Sequence, residues 1–342
     1  MLFCAPFSEF RIDDLKIFHL STIGIDDEGK MAEDLKLARW TLIGLTAISY
    51  IAVFGLAAVV GMKVDYQQIY YFAGYFVVMT VATSAYFSFR KLNKLRALAE
   101  TLGYGFLLTV PVLISTYLAI YAKKPLADDM LSSWDQSIGF QWRSFITFVD
   151  SQPVLAEILG LSYQTFAFQL LIIPVVLIVA GQPLRSYRML IGYGLICFAA
   201  SFISIWFPAL GTYKIYGVGP TDVQNIDAYF GYFFLDQFNA VRDDPQFVFA
   251  FMDTAGILTF PSVHAGVATL CAWSTWSLKS IRYPMLVLNV CMAIAAVSHA
   301  SHYLVDVLAG VVVALVCVFI SCKLTVARTS TSVREMPDAV AA

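Results

Sequence analysis

The chain has 342 residues, of which 59% are hydrophobic and only 13% are charged. This composition, with a mean hydropathy of +0.72, is not that of a soluble domain. The net charge of −2 and the lack of a basic tail or a glycine-rich nucleotide loop argue against a nucleic-acid partner. Several apolar runs approach the length needed to cross ~30 Å of hydrocarbon. We therefore predict an all-α, polytopic membrane helix bundle.

Residues 1–38 mix charged and apolar side chains and lack the continuous apolar core of a cleavable signal peptide. This segment, which contains His19, is expected to be cytoplasmic, either lying along the membrane surface or forming a poorly ordered tail. A membrane domain is predicted over residues 39–323, and a cytoplasmic tail over residues 324–342.

About eight spans are predicted from the apolar runs: Trp40–Gly61, Ile69–Phe89, Leu102–Tyr121, Val154–Ala180, Met189–Phe207, His264–Leu278, Pro284–Val297 and Tyr303–Cys322. Lysine and arginine concentrate in segments 90–100, 181–188 and 279–283 and in the tail, whereas the longer loops 122–153 and 208–263 are rich in aspartate. The positive-inside rule therefore predicts that both termini are cytoplasmic and that the two long loops are extracytoplasmic.

The first long loop carries aromatic residues from Trp134 to Trp142, which predict a short helix that anchors at the membrane interface. The six cysteines fall inside predicted spans or on the predicted inner side. No disulfide framework is therefore expected.

Three of the four histidines, His264, His299 and His302, fall on the predicted extracytoplasmic face. If the chain is helical from Tyr303 onward, His302 and Asp306 lie one turn apart on one face. Asp306 can then accept a hydrogen bond from one ring nitrogen of His302 and leave the other nitrogen for a substrate. A charged residue at the start of a membrane helix is costly unless it is partnered, so these residues are candidates for a functional site.

A second helix start is predicted where Pro261 and Ser262 precede the apolar run that begins at His264. Ser262 lies near the expected N-cap, and the free amides of the first turn form a potential anion site. A hydroxyl and an imidazole would flank an anion bound there.

These segments resemble the type 2 phosphatidate phosphatase superfamily, and more closely its inositol phosphorylceramide synthase-like branch. The superfamily's Pro-Ser-x-His motif resembles residues 261–264, and its His-x-x-x-Asp motif resembles residues 302–306. The branch continues with Tyr after the histidine and with Ala-Gly, matched by Tyr303, Ala309 and Gly310. The stretch from Asp135 to Trp142 also resembles the branch, with Ile138 and Gln141 as differences, so the resemblance covers about residues 135–310.

Two features of the superfamily's phosphatases are missing. Ala296 stands where they place an arginine six residues before the nucleophilic histidine, and their Lys-x6-Arg-Pro motif is absent. Lys214 and Arg242, in the second long loop, are the expected replacements for phosphate binding. Fewer cations would suit a phosphodiester, which carries one negative charge, better than a phosphomonoester, which carries up to two.

The resemblance implies that six of the spans form a phosphatase-like core and that the catalytic residues are His302, His264 and Asp306. His302 would attack phosphorus, Asp306 would hold its tautomer, and His264 would transfer protons at the leaving and incoming oxygens. Ser262, with Lys214 and Arg242, would bind phosphate. His299, Tyr303 and Asp135 are assigned as substrate contacts, and no metal or cofactor is expected.

The leading hypothesis is a lipid phosphotransferase that moves a phospho-headgroup from a phospholipid to a lipid alcohol, with membrane lipids as its substrates. The first alternative is a phosphatase that acts on phosphatidate or prenyl phosphates. A membrane metalloenzyme using His264, His299, His302 and Asp306 is a further alternative. The last is a non-catalytic transporter or scaffold, in which both His264 and His302 would tolerate substitution.

Overall fold

The computed structural model describes residues 25–327, and three quarters of these residues are helical. The long or apolar helices in this range are α1 (Ile25–Val60), α2 (Tyr66–Phe89), α3 (Asn93–Tyr121), α6 (Pro153–Gln164), α7 (Phe166–Val179), α8 (Pro183–Ser204), α12 (Val263–Thr275), α13 (Arg282–Ser298) and α14 (Leu304–Leu324). The connecting helices are α4 (Asp128–Ser137), α5 (Trp142–Asp150), α9 (Thr212–Tyr216), α10 (Tyr229–Tyr232) and α11 (Leu235–Asp243). Two two-residue strands, β1 (Lys63–Val64) and β2 (Val248–Phe249), pair in parallel with Lys63 opposite Val248.

Five of these helices, α1, α2, α3, α8 and α14, are long and apolar enough to cross a membrane. The pair α6 and α7 gives a sixth candidate span, which is bent by 59° between the two helices. Helix α13 is apolar but shorter, and α12 has 13 residues. The chain is thus an integral membrane protein with five or six candidate spans in the described range, and the count of eight remains a prediction.

Three predicted boundaries differ clearly from the structure. Helix α8 begins at Pro183, whereas its predicted span begins at Met189. Helix α1 begins at Ile25, so the boundary predicted after residue 38 falls inside a continuous helix. Helix α3 begins at Asn93, within the segment predicted to be a basic connection, because Arg96 and Glu100 form an ion pair one helical turn apart. His19 and most of the predicted N-terminal segment, together with residues 328–342 of the predicted tail, lie outside the described residues.

Helices α8 and α12 lie at the centre of the bundle. Helix α8 packs against α1, α3, α7, α12 and α14, and α12 also packs against α13 and α14. Helix α2 packs against α3 at the edge, where Gly103 leaves no room for a side chain beside Thr80. Small residues at such crossings are typical of membrane helices, because association there depends on close packing rather than on the hydrophobic effect.

A buried carboxylate joins four helices at one end of the bundle. Glu100 of α3 accepts hydrogen bonds from Arg39 of α1 at 2.7 Å, from Arg96 at 3.0 Å and from Tyr187 of α8 at 2.6 Å, and also from Ser84 of α2. The side chain is 1% exposed, and a buried charge is tolerated only when it is partnered in this way. Sequence reasoning did not identify this cluster.

The termini of several other helices lie at the same end as Glu100. Arg188, near the start of α8, donates to Thr325 just after α14 at 2.7 Å, and Ser277 after α12 donates to Gln182 before α8 at 2.5 Å. We call this the basic end, because it also carries the lysines and arginines of segments 90–96, 185–188 and 279–282. The first turns of α12 and α14 lie at the opposite end of the bundle, which we call the histidine end.

Candidate active site

The crossing of α12 and α14 brings the two histidine motifs together. The backbone N–H of Ser262 donates to the carbonyl oxygen of Asp306 at 3.0 Å. Gly310, one turn further along α14, lies so close to Ser262 that a Cβ atom there would overlap the Ser262 carbonyl oxygen. The glycine and the backbone hydrogen bond therefore fix the first turn of one helix against that of the other.

His302 and Asp306 interact as their spacing predicts. His302 Nδ1 donates to Asp306 Oδ2 at 3.3 Å, and the same oxygen accepts the backbone N–H of Tyr303 at 2.9 Å. Asp306 is fully buried, and His302 is 5% exposed. Because Nδ1 carries the proton shared with Asp306, the lone pair of the neutral ring is on Nε2.

His264 occupies the first turn of α12 between two aromatic rings. Tyr163 stacks on it with centroids 4.2 Å apart and planes 15° apart, and the centroid of Phe166 lies 4.4 Å away. The Tyr163 hydroxyl is 3.5 Å from His264 Nδ1. These aromatic residues flank the bend between α6 and α7, and sequence reasoning missed both of them. The polar residues at 162–165 interrupt the apolar run, and this interruption was the available sequence signal for the bend.

His264 and His302 line a single cavity of about 180 Å³. Its walls are largely apolar and aromatic and come from α3, α7, α8, the segment before α12, and α10, with contributions from Val112, Leu113, Phe166, Tyr193, Phe230 and Ile257. Within residues 25–327, no lysine or arginine lines it. Ser262 caps α12 just outside the lining, where its Oγ accepts the Ala265 N–H at 3.3 Å.

Two carboxylates of α4 hold the segments around this cavity. Asp135 accepts the backbone N–H groups of Leu304 and Val305, both at 2.9 Å, and so caps α14. Burial raises the pKa of Asp135, although these two hydrogen bonds oppose the shift. Asp128, which sequence reasoning missed, accepts the N–H groups of Leu210 and Gly211 at 2.9 Å. Asp135 was predicted to contact substrate, and both its oxygens accept hydrogen bonds from the first turn of α14.

Two other predicted substrate contacts, Tyr303 and His299, also have internal partners. The hydroxyl of Tyr303 donates to Asp128 at 3.0 Å, and the side chain is fully buried. His299 Nδ1 lies 2.9 Å from the Ser298 hydroxyl, and its ring packs against Gly160 of α6. Burial lowers the pKa of His299, although a hydrogen bond to the backbone of Ala156 opposes the shift. Neither residue lines the cavity.

The predicted phosphate-binding cations also lie outside the cavity. Lys214 is exposed on α9, and the Arg242 guanidinium lies 5.7 Å from the ring centroid of Phe238.

Trp142, predicted as part of an interfacial anchor, is instead buried and donates its Nε1–H to the carbonyl oxygen of Val297 at 3.1 Å. No group of three or more His, Cys, Asp or Glu side chains in residues 25–327 is arranged to hold a metal ion, so the metalloenzyme alternative gains no support.

The cavity therefore combines two imidazoles, one of them oriented by a carboxylate, with the N-terminal turns of two helices. Such a set can attack an electrophile and transfer protons.

A family model of the PAP2 superfamily matches residues 129–320, which is more than half of the chain and includes both histidine motifs. No curated protein and no solved structure matches the chain. The chain thus belongs to the PAP2 superfamily, as a phosphatase or phosphotransferase of the type 2 phosphatidate phosphatase superfamily.

Proposed function

We propose that this protein is a lipid phosphotransferase, which moves a phospho-headgroup from a phospholipid to a lipid alcohol through a phosphohistidine. The observation that carries the proposal is a cavity lined by His264 and His302 but, within residues 25–327, by no lysine or arginine. A phosphomonoester can carry two negative charges, which are costly to bury without cations, whereas a phosphodiester carries one. The cavity therefore favours a phosphodiester donor, as in the inositol phosphorylceramide synthase-like branch.

The first half of the reaction forms the covalent intermediate. Nε2 of His302 attacks phosphorus, and the bond between phosphorus and the diacylglycerol oxygen breaks. Protonated His264 gives its proton to that leaving oxygen. Asp306 stabilises the positive charge that develops on the His302 ring, because its Oδ2 accepts the Nδ1–H.

The second half transfers the headgroup. His264, now neutral, takes the proton of the acceptor hydroxyl, whose oxygen attacks phosphorus as the bond to Nε2 of His302 breaks. The first amides of α12 and the Ser262 hydroxyl are the groups available to stabilise the equatorial oxygens, because the Ser262 oxygen accepts a hydrogen bond and its proton is left to donate. If water replaces the lipid alcohol, the same steps describe the phosphatase alternative.

We further propose that the histidine end faces the extracytoplasmic side. The basic residues gathered at the opposite end support this orientation through the positive-inside rule. Both termini would then be cytoplasmic, with residues 39–323 forming the catalytic domain between an N-terminal segment and a short tail.

The test uses purified protein, a phospholipid with a radiolabelled headgroup, and a lipid alcohol such as diacylglycerol or ceramide. The expected product is a new labelled phospholipid, and release of labelled water-soluble headgroup or phosphate alone would favour the phosphatase. His302→Ala should abolish activity and the acid-labile protein label, and His264→Ala should lower the rate by roughly 10²- to 10⁴-fold. Full activity of a folded His302→Ala protein would contradict the mechanism.

A further inference from the structure

An apolar groove of about 330 Å³ runs along the bundle between α3 and α7, with Leu190 and Tyr193 of α8 at its base. It begins at the cavity, because Val112, Leu113, Phe166 and Tyr193 line both spaces. It ends near Thr101, one residue from the Glu100 cluster. The groove therefore leads from the two histidines towards the basic end.

The length of this groove matches one layer of lipid chains. From Leu113 to Thr101 the chain advances twelve residues of α3, about 18 Å at the rise of an α-helix. The hydrocarbon core of a bilayer is ~30 Å thick, so one leaflet accounts for about half of it. A hydrocarbon chain whose phosphate lies at the histidines would thus be about as long as the groove.

The lining is apolar even where polar residues contribute. The hydroxyl of Thr101 donates to the carbonyl oxygen of Ala97 at 2.8 Å, and that of Thr109 donates to Gly105 at 3.3 Å. Both hydroxyls are therefore satisfied within α3 and offer the groove no free donor. Phe106 and Leu171 are 37% and 44% exposed at its rim, so the groove opens on the lateral surface of the bundle between α3 and α7.

We propose that this groove binds one hydrocarbon chain of the lipid substrate and thereby sets the depth at which the phosphate meets His302. The inference rests on the proposed function and extends it, because the α3 wall lies outside residues 129–320, which match the family. Lipid tails are as apolar as the groove, so the groove contributes shape selection rather than a hydrophobic driving force. One wall of the chain site is thus formed by a helix that precedes the family region.

A second groove provides a matched control. It lies between α1, α3 and α8, has a volume of about 380 Å³, and shares no lining residue with the cavity. Ala167 in the first groove and Ala52 in the second are both exposed alanines on candidate spans. Ala167→Trp fills the proposed chain site, and Ala52→Trp places the same bulk in the unconnected groove. Gly105→Leu fills the first groove from its other wall, where a Cβ meets only Leu190, at 3.7 Å.

The first measurement is activity on lipids with long chains and on lipids with short chains that need no groove. We expect Ala167→Trp and Gly105→Leu to lower kcat/KM for the long-chain lipid at least about tenfold, because small displacements of a reacting group cost that much or more. The short-chain lipid should change less than twofold, and Ala52→Trp should affect neither. An equal loss on both lipids, or equal effects of Ala167→Trp and Ala52→Trp, would overturn the proposal.

The second measurement does not depend on catalysis. Full-length His302→Ala protein is incubated with a phosphodiester phospholipid that carries a photoreactive diazirine in the middle of one acyl chain, and the labelled residues are mapped. Labelling should fall on residues 101–113 or 166–174, compete with the same phospholipid without the diazirine, and disappear with Ala167→Trp. Equal labelling of both grooves would overturn the chain site. Specific labelling of a protein without any transferase or phosphatase activity would instead refute the proposed function alone.

Discussion

At the scale of single residues, one oxygen atom links the ring of His302 to the start of α14. Asp306 Oδ2 accepts both the Nδ1–H of His302 and the backbone N–H of Tyr303. The second hydrogen bond holds the carboxylate at the start of α14, so the first has a fixed direction. Asp306 is therefore a positioning residue, and His302 is the group that meets the substrate in the proposed mechanism.

Replacing this carboxylate tests its role. Asp306→Asn keeps the size of the side chain but removes the charge that stabilises the imidazolium. We expect kcat to fall by roughly 10²- to 10⁴-fold with little change in KM, and the phosphohistidine label to form more slowly. The pH profile of kcat should also move, which a purely structural role would not cause. The matched control is Asp129→Asn. Asp129 is exposed and follows Asp128 in the chain, so its replacement should change none of these values.

At the scale of helices, the arrangement of the two histidine motifs depends on how closely α12 and α14 approach. The Ser262 N–H donates to the Asp306 carbonyl, and Gly310 leaves room for the Ser262 carbonyl oxygen. Gly266 on α12 makes the reciprocal contact, because a Cβ there would lie 3.4 Å from the Gly310 carbonyl oxygen and 2.9 Å from Ile196. Two glycines thus fix the separation of the helices that carry the histidines.

A single methyl group tests this crossing. Gly310→Ala places a Cβ against backbone, which cannot rotate away, so the helices must separate. We expect a loss of about 1–3 kcal/mol in stability and a large loss of activity. The matched control is Gly74→Ala in α2, where nothing lies within 4 Å of the added Cβ. Equal thermal unfolding temperatures of the two variants in detergent would show that the close approach is not required.

At the scale of the whole molecule, the bundle has two chemically different ends. Arginines and lysines gather around Glu100 and the ends of α12 and α14, while the cavity and the long loops lie at the other end. The groove along α3 runs between them. If the basic end is cytoplasmic, a lipid lying in the groove presents its phosphate to the histidines at the extracytoplasmic surface.

Cysteine labelling tests this orientation. Ser137 of α4, at the histidine end, and Ser280 between α12 and α13, at the basic end, are both exposed. We expect a membrane-impermeant maleimide to label Ser137→Cys from the extracytoplasmic side, and Ser280→Cys only after permeabilisation. The unsubstituted protein measures the background of the native cysteines. The reverse pattern, or labelling of both variants from one side, would contradict the proposed topology.

Local patterns predicted a large part of this architecture. Each predicted span overlaps a helix or, for Val154–Ala180, the bent pair α6 and α7, because apolar runs must form helices in lipid to satisfy their backbone groups. The spacing of His302 and Asp306 predicted their hydrogen bond, since it depends only on one helical turn. The start of α3 was missed, because side-chain contacts with Glu100 extend the helix beyond its apolar run.

Contacts between distant segments could not be predicted in the same way. Tyr163 and Phe166 reach His264 only because α6 and α7 bend, and Asp128 meets Tyr303 across 175 residues. Lys214 and Arg242 were predicted to bind phosphate because the superfamily's usual cations are missing, and neither of them lines the cavity. By itself, the sequence determined a membrane helix bundle, its two histidine motifs and the local pairing of His302 with Asp306. Only the tertiary structure decided which side chains surround His264 and His302, because that depends on packing between helices far apart in the chain, which no local pattern encodes.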